Sequence, residues 1–430
     1  MEHDSPSRLY SLDALRGVAA LGVVLWHWQH FYLRDMGAAY TPQRQPFHAS
    51  LGFLYRYGWL AVFLFFSLSG FIFYRLYART VSEGGISAGV FASRRFARLY
   101  PLHLATLLFV AAAQYAFRAR SGAFFVYPHN DAYHFVLNVF LASAWGWQKG
   151  YSFNGPVWSV SVEVLLYALF FLACRRLPVR AFTALAVGLL GFFAVTPRVE
   201  LVGKGIGAFF LGGCGWFLYE KIVRAGLARW LGPILAVAAA ASGCAVFAAY
   251  FRWGHLSRRP NDWLIAGLIF VVFPLTLSSL ALLETSRGTL GRRLAFLGDL
   301  SYSSYLLHFP LQLVFAGVTT AWAVPLTFYD SPWTLLLFFA VLIPLSLAVH
   351  RGFEVPMQRF LRRRFTPGKN TSPSAPGKEA PHLPSPASTG SARRSPPRGG
   401  EGEQNRWTFP SPSLDGEGLG RCGELVEPMR

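Results

Sequence analysis

Ionisable residues inside apolar sequence are costly in a membrane, so they are the first candidates for chemistry. Arg16 and His27 share one long apolar run, 11 positions apart. At ~100° and ~1.5 Å per residue they fall within about 20° of one helix face and about 16 Å apart along it. Asp13, one turn before Arg16, is placed to pair with that guanidinium. A second run opens Asn154-Gly155-Pro156-Val157-Trp158-Ser159-Val160-Ser161-Val162-Glu163. Glu163 lies about 9 Å into that helix, a depth similar to that of His27. An imidazole and a carboxylate at matching depth make a general base and its orienting partner if the two helices touch. Arg94, Arg95 and Arg98 precede Tyr100-Pro101, and the last two arginines, one turn apart, could grip phosphates from one face. Ser301, Tyr302, Tyr305 and His308 give a later run a polar face. Each group also has a plainer reading. Asp13 and Arg16 anchor a helix end, His27 and His308 are satisfied core histidines, Glu163 bonds a neighbouring Ser or Tyr, and the arginines mark topology. Spacing alone leaves both sets of readings open.

These residues must be positioned by membrane helices. Of 430 residues, 53% are hydrophobic and only 14% charged, with 39 Phe, 18 Tyr and 13 Trp. A soluble domain carries about 25% charge. Apolar runs of the ~20 residues that span a bilayer fall at about 11–33, 52–74, 100–117, 157–174, 179–196, 203–219, 231–251, 262–283, 296–319 and 332–350. A shorter stretch, 135–147, reads as interfacial or re-entrant. The expected fold is therefore an all-α polytopic membrane protein of about ten transmembrane helices. With the N-terminus inside, the cytoplasmic connections carry roughly twice as many Lys and Arg as the opposite ones, so both termini are expected in the cytoplasm. The net charge of +19 is then topology, not a nucleic-acid surface. Residues 1–364 form the membrane domain. Residues 365–430 are rich in Pro, Gly and Ser and read as a disordered cytoplasmic tail, dispensable for activity. Cys174, Cys214, Cys244 and Cys422 show no metal-site or disulfide spacing.

Taken together, these residues resemble the acyltransferase 3 family of integral membrane O-acyltransferases. Leu12-Asp13-Ala14-Leu15-Arg16-Gly17 is similar to its opening motif, and Arg16 with His27 reproduces its Arg-x10-His pattern. Phe65-Phe66-Ser67-Leu68-Ser69-Gly70-Phe71 resembles the second-helix motif, and Arg94-Arg95-Phe96-Ala97-Arg98-Leu99-Tyr100-Pro101 the arginine motif. Trp158-Ser159-Val160-Ser161-Val162-Glu163 with Tyr167, and Leu297-Gly298-Asp299-Leu300-Ser301-Tyr302 through His308, match two later blocks. The resemblance covers about residues 8–355, with the elements in the family's order.

The resemblance implies an acyl-CoA donor, often acetyl-CoA, and a hydroxyl acceptor on a surface carbohydrate or glycolipid. It makes His27 the catalytic base, with Glu163 setting its tautomer. Arg16, Arg95 and Arg98 would hold the donor's phosphates at the cytoplasmic face of a bacterial inner membrane. An activated thioester requires no metal and no permanently bound cofactor. His30, outside the Arg-x10-His position, is expected to be neutral to substitution. The competing reading is a transporter of a lipid-linked sugar or organic anion, in which the same polar groups line a path. No inverted repeat or paired interrupted helices support it. A glycosyltransferase is weaker still, since the outer loops offer few acidic residues.

Overall fold

The computed structural model describes residues 8–35, 41–257 and 259–365, and within them the regular elements are helices. Of the expected tail, Phe365 ends the last helix and residues 366–430, with Cys422, lie outside the described residues; Cys174, Cys214 and Cys244 are free thiols. The first helix, α1 (Tyr10–Trp26), runs into a tighter 3-10 stretch, His27–Asp35. α2 (His48–Tyr57) and α3 (Ala61–Leu76) join through one tight turn, and α4 (Ala78–Ser82) follows. α5 (Ala88–Ser121) starts where the Ser87 hydroxyl accepts from the Val90 N–H, and ends at Gly122 in the left-handed region. It begins twelve residues before the apolar run, so the arginine motif is part of the helix. The stretch read as interfacial forms only the short α6 (Ala132–Val139) and an irregular loop.

Next come α7 (Trp158–Arg176), α8 (Ala181–Leu190), α9 (Glu200–Arg224) and α10 (Ala228–Trp253). α11 (Pro260–Gly267) and α12 (Phe273–Arg287) form one rod with a wide π turn between them. α13 (Ala295–Ala321) precedes a second such rod, α14 (Pro332–Val349) and α15 (Val355–Phe365), whose π turn is His350–Glu354.

All ten expected segments fall on helix. Seven helical runs among the described residues are long and apolar enough to cross a membrane: α2–α3, α5, α7, α9, α10, α11–α12 and α14–α15. α1 and α13 are not among the seven, because Asp13, Arg16 and His27 on one, and Ser301, Tyr302, Tyr305 and His308 on the other, dilute their apolar content. These two polar helices pack on each other. Their closest approach is at Gly17 and Gly298: a Cβ on Gly17 would strike Leu297 and the Gly298 backbone, and one on Gly298 would strike Asp13. α3 and α9 use the same device at Gly70 and Gly212, so the second-helix motif serves packing here. α10 exposes Ile234 and Val237, and its Trp230 and Trp253 are also exposed. Those tryptophans are ~35 Å apart at ~1.5 Å per residue, near the ~30 Å of a hydrocarbon core. That spacing suits a lipid-facing helix with an aromatic belt at each end.

Candidate active site

The base of the site is the end of the bundle where α1 and α13 begin. The Glu284 carboxylate of α12 accepts from the Tyr10 and Ser11 N–H groups at 2.8 Å each, putting a negative charge on the α1 N-terminus. Arg8 bridges Asp13 at 2.5 Å and Asp299 at 2.7 Å. Arg16 is 2% exposed. Its Nε donates to the Ser301 hydroxyl at 2.9 Å, and its Nη2 donates to the Gly298 carbonyl at 2.5 Å and pairs with Asp13 at 3.2 Å. Only Nη1 has no partner. The expected phosphate ligand is thus mainly a tie between α1 and α13.

The two motif arginines differ in their surroundings. Arg98 forms a buried ion pair with Glu354 at 2.7 Å and lies over the Tyr302 ring. Glu354 also accepts from Ser303 at 2.6 Å, and His350 Nδ1 lies 3.0 Å from the same carboxylate. Arg95 is walled by the rings of Phe73, Tyr77 and Tyr167 at 5.1–5.8 Å. Its Nη2 donates to the Tyr77 hydroxyl at 2.8 Å, and its Nε has no partner.

Glu163 belongs to this same arginine end. It accepts from the Tyr167 hydroxyl and lies within electrostatic reach of Arg95 and Arg98. No hydrogen bond joins it to His27 among the described residues. The reason is where α7 starts. The loop before it descends into the bundle: Asn154 donates to the Leu306 carbonyl at 3.0 Å, and the Tyr305 hydroxyl donates to the Pro156 carbonyl. Depth counted from the membrane surface therefore places Glu163 too high. In the fold it lies a further turn and a half below the middle of α13.

The partner of His27 is His308, with His27 Nδ1 and His308 Nε2 at 3.1 Å, across 281 residues of sequence. The direction of this bond follows from its far end. His308 Nδ1 lies 2.5 Å from the Tyr305 carbonyl, which can only accept, so Nδ1 carries the proton. Neutral His308 then has its lone pair on Nε2 and accepts from the Nδ1–H of His27. The free lone pair of His27 is left on Nε2, which is buried and without a partner. A general base needs that configuration.

A second chain runs alongside. Gln312 Nε2 donates to the His27 carbonyl at 2.9 Å, which turns Gln312 Oε1 toward His30 Nδ1, also 2.9 Å away. His30 is thereby protonated on Nδ1, and its Nε2 accepts from the Tyr127 hydroxyl at 3.1 Å. The His27 and His30 ring centroids are 4.7 Å apart. His30, expected to be neutral, is therefore packed against the base and tied to it through Gln312. The change from α-helix to 3-10 geometry at His27 aims both rings at α13. His30, Gln312 and Glu354 were missed from sequence. The one signal was the one-turn spacing of His27 with His30 and of His308 with Gln312.

Two poles result: a neutral histidine cluster with one open lone pair, and a basic end about 16 Å away along α1 at ~1.5 Å per residue. This suits a reaction in which a hydroxyl is deprotonated at one pole while an anionic co-substrate is held at the other.

Residues 9–351 match the profile of the acyltransferase 3 family, described as an acyltransferase domain. "Acyltransferase MdmB" of Streptomyces mycarofaciens is 27% identical over 410 residues, covering 87% of this chain and 98% of that protein. "Protein 2 in picA locus" of Rhizobium radiobacter is 39% identical over 112 residues, 26% of this chain. The match spans about half, 49%, of that relative's length. No solved structure matches. The matched span contains His27, His308, Arg16, Arg95 and Arg98, and the chain belongs to the acyltransferase 3 family as a helical membrane acyltransferase.

Proposed function

We propose that the protein moves an acyl group, acetyl in the first instance, from acyl-CoA on the cytoplasmic side of a bacterial inner membrane to a hydroxyl of a carbohydrate or glycolipid acceptor. In this reading ten helices span the bilayer and both termini are cytoplasmic, as the arginine-rich connections favour. The donor's phosphates meet the basic end formed by Arg95, Arg98 and Arg16, and the pantetheine arm runs along α1 and α13 toward His27. The acceptor hydroxyl arrives from the opposite side.

His27 Nε2 takes the hydroxyl proton as the oxygen attacks the thioester carbonyl. His308 accepts the Nδ1–H bond throughout and stabilises the imidazolium. The tetrahedral intermediate collapses with loss of the CoA thiolate, and the imidazolium returns the proton to that sulfur. The products are the ester and free CoA. Glu163 works at the donor end in this scheme, holding Tyr167 against Arg95.

The observation that carries the reading is the buried, unpartnered Nε2 of His27. The test is transfer and hydrolysis of labelled acetyl-CoA by the purified protein, with His27→Ala beside it. Loss of both with His27→Ala supports the base. A wild-type protein that neither transfers nor hydrolyses the acyl group, yet moves a lipid-linked sugar or organic anion between vesicle leaflets, would establish the transporter reading instead.

A further inference from the structure

At the basic end, beneath α15, lies a cavity of about 660 Å³, within the range of small-ligand sites. Its polar lining comes from Arg8, Asp299, His350, Arg351 and Arg359, with the ring of Phe296 beside them. Arg8 is balanced by Asp13 and Asp299, and His350 Nδ1 lies within hydrogen-bond distance of Glu354. Arg351 and Arg359 have no carboxylate partner among the described residues, so two uncompensated cations face one cavity.

Beyond the π turn at His350–Glu354, α15 packs on α5, with Gln358 buried and Phe365 against Phe96. Arg362, one turn beyond Arg359, thereby comes within electrostatic reach of Arg95 and Arg98, and its Nε has no partner. One face of α15 thus serves the cavity and the next turn serves the arginine motif. A topology signal alone would need neither a cavity nor convergence on buried arginines.

We propose that the cavity beneath α15 seats the phosphorylated nucleotide of the donor, with Arg351 and Arg359 on its phosphates and Arg362 completing the anion site begun by Arg95. This rests on the acyl-CoA reading above. Phosphate chemistry would equally suit an anionic lipid headgroup, so the experiment separates the two sources.

The full chain is purified and placed in discs of neutral phosphatidylcholine, and CoA, dephospho-CoA and pantetheine are titrated calorimetrically. The Arg351→Ala/Arg359→Ala double variant is expected to bind CoA at least about tenfold more weakly, as for lost charge-assisted bonds. The wild-type preference for CoA over pantetheine should shrink by a similar factor. Both side chains are exposed, so folding should survive, and Arg359→Lys alone should keep most of the affinity. CoA binding equal to wild type in the double variant overturns the proposal while leaving the acyl-CoA reading standing. So does a defect seen only as lost association with phosphatidylglycerol in discs that contain it. Failure of the wild-type protein to bind CoA at all removes the donor reading, and the subsite with it.

Discussion

The histidine cluster and the arginine end handle buried polar groups in opposite ways. Around His27 none of the partners is a carboxylate or an arginine: His308, His30, Gln312 and Tyr127 are linked in two hydrogen-bonded chains. At the other pole the central groups are arginines and carboxylates, and two ion pairs, Arg16 with Asp13 and Arg98 with Glu354, stand beside hydrogen bonds to hydroxyls and carbonyls. The neutral network leaves one lone pair open, and the charged one leaves cations in excess. Proton transfer needs a group that can change its charge reversibly, whereas anion capture needs a charge that does not change. Neutral imidazoles around the donor would have left its phosphates unanswered.

The contrast can be broken first at its neutral pole. His27→Ala should lower acyl transfer about 10²–10⁴-fold, the usual contribution of positioned proton transfer, while CoA binding persists. Retained transfer by folded His27→Ala would end the general-base assignment. At the charged pole the largest effect is on stability. Glu354→Ala leaves Arg98 buried without its counter-ion, which costs on the order of 3–5 kcal/mol. A lowered unfolding midpoint in detergent would register it, and an unchanged midpoint would mean that the pair carries no net stabilisation.

Smaller changes sharpen the comparison. His308→Ala should reduce turnover roughly 10- to 100-fold at unchanged KM for acyl-CoA, as expected when a positioned base loses its partner. His308→Gln, which can still accept the Nδ1–H bond, should recover part of that loss. If Glu163→Gln instead lowers turnover at constant KM and His308→Ala does not, the carboxylate is the partner after all. Gln312→Leu, acting on His27 and His30 through orientation only, should cost less, roughly two- to tenfold, consistent with ~1 kcal/mol for a neutral hydrogen bond. The smallest effect belongs to the chain beyond Phe365. Removing 366–430 should leave transfer intact, whereas truncation before Val355 should raise the KM for acyl-CoA, a difference that assays on membranes would read directly.

Much of this was legible in the sequence because it depends on local pattern. The apolar runs specify membrane helices wherever they lie, since twenty apolar residues can satisfy their backbone in lipid only as helix. The Arg16–His27 spacing places both residues on one face of α1 by helix geometry alone. The arginine motif was visible as a one-turn repeat, although its inclusion in α5 was not, because the helix extends past the apolar stretch into polar sequence.

Only the tertiary structure decided which groups meet. His27 and His308 are 281 residues apart, and their contact depends on Gly17 and Gly298 letting α1 and α13 approach. Glu163 was assigned by its depth below an assumed membrane surface, but the loop before α7 enters the bundle and carries the carboxylate past His27 to the arginines. Glu354 and α15 lie past the last apolar run, and contact between helices, not local pattern, sets α15 against α5. Helix periodicity is set by each residue's neighbours along the chain, whereas depth, register and partner choice are set by packing between helices, which a single sequence does not spell out.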